Sequence, residues 1–216
     1  MKNRKLRILS YLLAAISLLL AILLYPSLPD KIPTHWDING TVTYSGKSAI
    51  FLTGSLGLIV AVLIDFLPRI DPRRRNYQKF NKYYDLFCVF MQLFLLIINL
   101  VTIVEIYRPG TLSVPTFTIF AIGFLFLLTG NIMPKFKSNF YMGIKTPWTL
   151  SSEEVWHKTH RLGGKCFFIA GLLCLIFPFL PLEHTVIYSF FFLSFILIAT
   201  FIPAVMSYFW WRQEQK

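Results

Sequence analysis

The sequence predicts an all-α, polytopic integral membrane protein with about six transmembrane helices and both termini in the cytoplasm. Of its 216 residues, 56% are hydrophobic and 14% are charged, whereas a soluble domain usually carries about 25% charged residues. A bilayer core about 30 Å thick requires roughly 20 apolar residues per helix. The apolar segments that approach this length are 6–24, 49–67, 86–106, 114–133, 166–180 and 186–208.

Two of these segments need separate interpretation. Segment 6–24 follows several basic residues, as the core of a signal peptide does, but it is longer than the roughly 7–15 residues typical of such a core. We therefore expect a retained helix. Segment 166–180 is short and contains Pro178, so we expect a tilted or partly interfacial helix there.

The distribution of Lys and Arg predicts the orientation. With the N-terminus inside, the predicted cytoplasmic segments hold 18 of these residues and the predicted outer segments hold 3. Cytoplasmic loops are enriched in Lys and Arg, so the bias favours two cytoplasmic termini and an even number of spans. The net charge of +11 therefore reflects membrane topology, and we expect no direct contact with nucleic acid.

Two long connections organise the chain. The first is an outer loop at 25–48, and the second is an inner loop at 134–165. We predict an N-terminal two-helix module, residues 1–85, that carries the outer loop. A C-terminal four-helix module, residues 86–216, would carry the inner loop.

Turn-forming and aromatic residues mark the outer loop. Pro33 disfavours a helix at the residue before it, and Asn39-Gly40 is a turn signal. His35 and Trp36 suit a recognition surface at the outer headgroup level, although an interfacial Trp anchor beside a structural His has the same pattern. The candidate recognition residues are Pro33, His35, Trp36, Asn39 and Gly40.

The inner loop is predicted to contain a short helix. Ser151 and Glu154 have the spacing of a capping box, which predicts a helix start near Ser152. Gly163-Gly164 would end that helix. It would lie as an amphipathic helix in the inner headgroup region or present a partner or ligand surface. The candidate residues are Asn139, Gly143, Thr146, Pro147, Trp148, Thr149, Trp156, His160, Arg161, Gly163 and Gly164.

Catalysis finds little support in the residue pattern. Glu153 and Glu154, followed by Lys158, are similar to the Glu-Glu-x-x-x-Arg pattern of intramembrane CAAX-type proteases. That chemistry requires further histidines on neighbouring buried helices, but His35 and His184 are both expected outside. The sequence contains no HExxH, GxSxG or P-loop pattern. We expect a non-enzymatic protein with no cofactor and no metal site.

Polar and thiol side chains within the spans are interpreted as packing groups. Gln92 and Asn99 are seven residues apart on one helix face, where we expect hydrogen bonds to neighbouring helices. Cys88, Cys166 and Cys174 lie in or beside apolar runs. We interpret them as buried apolar residues rather than as disulfide or metal partners.

Both long loops resemble known families. The segment LPDKIPTHWDINGTVTYSGKS, residues 28–48, resembles a small domain of unknown function common in Gram-positive membrane proteins. The segment GNIMPKFKSNFYMGIKTPWTLSSEEVWHKTHRLGGK, residues 130–165, resembles the core of the SdpI immunity-protein family. With the flanking helices, the resemblance covers most of the chain.

The resemblance implies an immunity protein in the plasma membrane of a Gram-positive bacterium. Such a protein protects its cell from a secreted toxic peptide, and in the founding system it also senses the toxin and sequesters a transcriptional repressor. The candidate partners are therefore the lipid bilayer, a secreted peptide toxin and a cytoplasmic transcriptional repressor. A small transporter or exporter component and a membrane-embedded hydrolase are the alternatives.

Overall fold

Seven helices and one β-hairpin make up the described part of the chain. The structure, a computed structural model, describes residues 3–37, 41–180 and 185–215. The helices are α1 (Arg4–Leu24), α2 (Ile50–Ile70), α3 (Tyr77–Tyr107), α4 (Val114–Ile132), α5 (Pro147–Ser151), α6 (Glu153–Ile176) and α7 (Thr185–Glu214). The strands are β1 (Lys31–Trp36) and β2 (Val42–Gly46).

Six of the described helices are long and apolar enough to cross a membrane. They are α1, α2, α3, α4, α6 and α7, and this finding confirms the predicted all-α, polytopic membrane fold. The boundary predicted near residue 85 falls within α3, and the division into modules 1–85 and 86–216 stays a prediction.

The fifth span differs from its prediction. Helix α6 is 24 residues long and runs without interruption through Gly163 and Gly164, which corresponds to about 36 Å at 1.5 Å per residue. The expected short amphipathic helix ending at these glycines is therefore wrong, as is the expected short span at 166–180. The two segments form one helix because the glycines allow a close helix contact instead of a helix end.

Glycines bring the backbones of α4 and α6 into contact. A Cβ atom built on Gly164 would lie 2.7 Å from the carbonyl oxygen of Gly130, and the reciprocal distance is also 2.7 Å. One heptad further along, Gly123 and Gly171 repeat the arrangement, with a Gly171 Cβ 2.7 Å from the Gly123 oxygen. Helices in lipid associate largely through such close van der Waals packing at small residues.

The long helices form two groups joined mainly through α3 and α4. Helices α1, α2 and α3 contact one another, whereas α6 packs between α4 and α7. In the first group, Asn99 donates to the carbonyl oxygen (3.2 Å) and hydroxyl (2.8 Å) of Ser17 and accepts from Thr53 (3.2 Å). The predicted interhelical bonding is thus confirmed for Asn99. It is wrong for Gln92, whose buried amide has no hydrogen-bond partner among the described residues.

The three cysteines agree with their interpretation as packing groups. Cys88 and Cys174 are buried, Cys166 is partly buried, and none of the three forms a disulfide. Each lies on a long apolar helix.

The outer loop contains a β-hairpin that the sequence analysis did not predict. Strands β1 and β2 pair antiparallel, with a register shift between Pro33 and His35. The predicted turn signal Asn39-Gly40 lies outside the described residues. Ile32 is almost completely buried against apolar residues from the outer ends of the first three spans. Pro33 lies within β1, and the burial of this strand does not alternate from residue to residue, so the sequence lacks the alternation that identifies a strand.

We predict that topology reporters will show two cytoplasmic termini. Fusions at Gly40, Arg74, Gly110, Lys145 and the C-terminus should read outside, inside, outside, inside and inside, because basic residues concentrate on one side. Paired alkaline phosphatase and fluorescent protein fusions provide the measurement. An extracellular C-terminus would contradict the orientation.

Candidate functional site

The inner loop folds over one end of the helices as an irregular but extensively hydrogen-bonded segment. Asn139 lies at its centre with no exposed surface. Its side-chain oxygen accepts from the backbone N–H groups of Tyr141 (3.0 Å) and Met142 (2.7 Å). Its amide nitrogen donates to the carbonyl oxygens of Lys137 (2.9 Å) and Met142 (3.0 Å). Asn139 therefore satisfies backbone groups that no helix or strand satisfies here.

A buried aspartate joins this loop to the turn between α2 and α3. Asp71 accepts from the backbone N–H of Phe140 (2.9 Å) and of Arg73 (2.6 Å). The Tyr77 hydroxyl lies 2.8 Å from the Asp71 carboxylate and 3.1 Å from the Asn139 side-chain oxygen. The two buried side chains thus share one phenol, which links α3 to the inner loop.

Arg73 and Asn76 extend the same junction. Arg73 donates to the carbonyl oxygen of Leu150 at 2.6 Å and to the hydroxyl of Ser138, while Asn76 donates to the Ser138 carbonyl at 2.8 Å. The sequence analysis missed Asp71, Arg73 and Asn76 as site residues. The arginines after α2 were interpreted as topology signals. The local spacing of Asp71, Arg73 and Asn76 does not show that these residues contact a loop more than 60 residues away.

An aromatic pair on α6 supports the other side of the loop. Trp156 and His160 are fully buried and stack with ring centroids 4.0 Å apart. The Trp156 indole donates to the Phe136 carbonyl at 2.9 Å. His160 Nε2 accepts from the Ile144 backbone N–H at 3.1 Å, and Nδ1 lies 2.8 Å from the Trp156 carbonyl. This pair of contacts assigns the neutral tautomer with its proton on Nδ1.

The packing of His160 against the inner loop requires glycine at position 143. Its φ is +106°, a conformation that L side chains rarely adopt, and a Cβ there would collide with His160 Nε2. The imidazole and the loop backbone therefore fit together because position 143 lacks a side chain.

The end of the inner loop is fastened to α7. Thr146 and Thr149 form a reciprocal capping box at the start of α5, with Pro147 at its first position. The Thr146 hydroxyl lies 2.9 Å from that of Ser207, and the Trp148 ring meets Tyr208 edge to face at 5.1 Å.

The predicted capping box is wrong. Ser151 is the last residue of α5, and Ser152 caps α6 by accepting from the Val155 N–H at 3.2 Å. Glu154 instead forms a 2.6 Å ion pair with Lys158. Ser151 is still helical because it belongs to α5. The extended residue that caps α6 is therefore Ser152, one position later than the sequence pattern predicts.

The structure separates the predicted inner and outer candidates to opposite ends of the helices. At the inner end, Arg161 is exposed, whereas Gly163 is buried against Ile144 and Met133. At the outer end, Pro33 is buried, His35 is exposed and Trp36 is partly buried. The functional roles of both groups stay predictions.

At the outer end, the hairpin borders a small notch of about 190 Å³ next to the turn between α3 and α4. Trp36 and Tyr44 line it from the hairpin. The buried Glu105 lines it from α3 and accepts from the backbone N–H groups of Gly110 (3.0 Å) and Leu112 (2.9 Å). This carboxylate fastens the turn between α3 and α4 to the end of α3.

Groups suited to metal binding do not cluster in the part of the chain that the structure describes. No set of three His, Cys, Asp or Glu residues lies close enough to hold an ion within 3–37, 41–180 and 185–215. His160 already uses both ring nitrogens for backbone contacts. The buried side chains at the inner end hold the inner loop in one conformation, and this loop covers the ends of the helices.

Comparison with known proteins matches two segments of the chain, each containing one long loop, to two family models. Residues 135–207 match the SdpI/YfhL protein family, and residues 12–58 match a domain of unknown function, DUF1648. The predicted resemblance to the SdpI family is confirmed. The segment that matches the SdpI/YfhL model, residues 135–207, is called the SdpI module below; it contains the loop organised by Asn139, together with α5, α6 and most of α7.

A full-length relative gives a consistent result. The chain is 26% identical to the Immunity protein SdpI of Bacillus subtilis (strain 168), with 97% of each chain covered. No solved structure matches this chain.

We predict that Gly143→Ala will destabilise the SdpI module by about 2 kcal/mol, through backbone strain and the collision with His160. Gly110→Ala is the matched control. Gly110 also has a positive φ, +76°, but a Cβ there meets nothing within 4 Å, so its cost should be about 1 kcal/mol. Reversible unfolding of the purified protein in detergent provides the measurement. Equal losses in both variants would contradict the steric role of His160.

Proposed function

We propose that this chain is a membrane immunity protein that protects its cell against a secreted toxic peptide. The observation that carries the proposal is the similarity to Immunity protein SdpI over 97% of both chains. Because this similarity includes both long loops and nearly all the helices, it supports a shared role for the whole chain. A match to one module alone would support a shared role for that module only.

The outer hairpin is the proposed recognition element. It is anchored through Ile32, while Tyr44 keeps 53% of its surface exposed. In the described two-stranded sheet, each strand has one edge without a partner strand, and an extended peptide can bind such an edge through backbone hydrogen bonds. The notch beside Trp36 offers an apolar site for a peptide side chain.

The inner loop supports binding rather than catalysis. Glu153 and Glu154 are exposed at the start of α6, whereas His160 is buried and bonded to backbone. His157 lies one turn after Glu153 on α6, but no third His, Cys, Asp or Glu in the part of the chain that the structure describes completes a metal-binding group with them. This geometry gives the hydrolase alternative no support.

We also propose that the chain has a signalling output through a cytoplasmic repressor. Basic side chains at the inner end are exposed to a potential partner. These residues are Lys145, Lys158, Arg161 and Lys165. The buried Trp156 and His160 would act in docking only by holding the loop in place.

We expect the chain to confer survival on toxin-sensitive cells, and Trp36→Ala to reduce that protection at least tenfold at unchanged membrane abundance. The substitution removes the aromatic wall of the outer notch. Phe179→Ala is the matched control, because it removes an exposed aromatic ring away from the hairpin. Survival curves at graded toxin concentrations, with quantified membrane protein, provide the measurement.

Three results would count against this assignment. Lack of protection by the wild-type chain would contradict immunity, and full protection by Trp36→Ala would contradict recognition at the notch. Glu153→Gln and Glu154→Gln should each retain protection. Its complete loss in both variants, at normal abundance, would favour the hydrolase alternative.

A second set of variants separates signalling from structural support. Arg161→Ala should abolish a repressor-dependent reporter response while abundance and toxin survival stay normal, because its side chain is exposed. Trp156→Ala should lower abundance, survival and reporter response together, because it leaves a large cavity in a buried site. Parallel loss of all three in Arg161→Ala, or an unchanged reporter response, would contradict the docking surface.

A further inference from the structure

Two cavities meet at Tyr84, near the basic ends of α2 and α3. The first, which we call the apolar cavity, has a volume of about 410 Å³ and lies between the two helix groups. The second, the polar cleft, has a volume of about 430 Å³ and lies between α2 and α3. Tyr84 lines both, and its hydroxyl donates to the Ile64 carbonyl.

The apolar cavity has the lining expected for a hydrocarbon chain. Its walls come from five long helices and the inner loop, and they include Ile64, Phe87 and Phe167. An apolar space among membrane-spanning helices is surrounded by lipid acyl chains, which are the most abundant apolar molecules available to fill it.

One polar group in this cavity lacks a partner. The Thr129 side chain is nine-tenths buried and lines the cavity, and its hydroxyl has no hydrogen-bond partner among the described residues. Such groups in native structures usually have a partner, and here a bound ligand can supply it. Thr129 lies three residues from the end of α4, which is about 4.5 Å along the helix axis. This position is close to the polar boundary of the bilayer.

The polar cleft offers donors suited to a phosphate. Arg69, Arg74, Gln78 and Asn81 line it, and the Arg69 side chain is 66% exposed. Guanidinium groups bind phosphate through paired, charge-assisted hydrogen bonds. Basic pockets between transmembrane helices on the cytoplasmic side are typical sites for anionic lipid headgroups.

The carboxylates near the cleft already have partners. Asp65 pairs with both Arg7 and Arg69. Asp85, which lines the cleft, accepts from the Asn3 backbone N–H at 2.8 Å. Arg74 has an exposed side chain, so it is the cation best placed to bind an added anion.

We propose that one anionic glycerophospholipid binds across Tyr84. Its phosphate would lie against Arg74 in the polar cleft, one acyl chain would fill the apolar cavity, and an ester carbonyl would accept from Thr129. The lipid would contact Gly143 and Ile144, which also line the cavity, so its binding would stabilise the inner loop. This proposal is independent of toxin immunity.

The test is native mass spectrometry of the detergent-purified chain, with phosphatidylglycerol and phosphatidylcholine carrying identical acyl chains. Wild type should retain one phosphatidylglycerol in preference to phosphatidylcholine. Arg74→Gln should weaken that binding about fivefold. Arg75→Gln is the matched control, because Arg75 is adjacent and exposed but does not line the cleft.

Two cavity variants test the acyl-chain site. Thr129→Val keeps the side-chain shape but removes the donor, and Phe87→Trp fills the space; both should reduce lipid retention. Unfolding measured without lipid will show whether each variant is folded. Normal retention by folded Phe87→Trp would overturn the acyl-chain assignment.

Two further outcomes would overturn the proposal. Equal weakening by Arg74→Gln and Arg75→Gln would indicate general surface attraction rather than a specific cleft. The third ligand to test is inorganic phosphate. If millimolar inorganic phosphate displaces phosphatidylglycerol and stabilises the chain as much as the lipid does, the site binds a free anion rather than a lipid.

Discussion

The direct backbone contact between α4 and α6 determines the geometry of the inner end of the molecule. Gly130 and Gly164 allow the two helices to approach until each carbonyl would obstruct a Cβ atom on the other. His160 lies one turn before Gly164 on the same helix, and Trp156 lies one turn earlier still. The contact therefore places the stacked aromatic pair beneath the loop. A side chain at Gly164 would separate the helices and displace that support.

A second constraint explains why so many polar groups are buried at this end. The hydrocarbon core of the bilayer provides no hydrogen-bond partners, so irregular backbone that is buried among these helices must be satisfied by the protein itself. Asn139, Asp71 and His160 meet this requirement for different stretches of one loop. The burial of these three side chains indicates a structural role. The exposed basic side chains around them are available to a partner.

Helix α3 connects the two ends that the proposed function requires. Its outer end contributes Ile106 to the cluster that anchors the hairpin, and Tyr77 at its inner end binds Asp71 and Asn139. The backbone of this helix is non-helical at Phe80, about one turn after Tyr77, so the two ends are joined through a kinked helix. The proposed lipid site lies beside the same inner segment, at Tyr84, and would act on the same junction.

The sequence by itself predicted the number of spans and the resemblance to the SdpI family. Six apolar segments mark six spans, because a membrane helix requires a long apolar run that local composition shows, although the fifth was predicted too short. The two loop signatures were also sufficient to predict the SdpI module, because their residues are contiguous.

Only the tertiary structure decided what several of those residues do. Gly163-Gly164 was predicted to end a helix, but α4 packs so closely against Gly164 that α6 continues through both residues. Asp71 and Arg73 were not predicted as site residues, because their partners lie more than 60 residues away in sequence. Local pattern specifies which segments enter the bilayer, whereas the contacts between segments depend on which helices become neighbours.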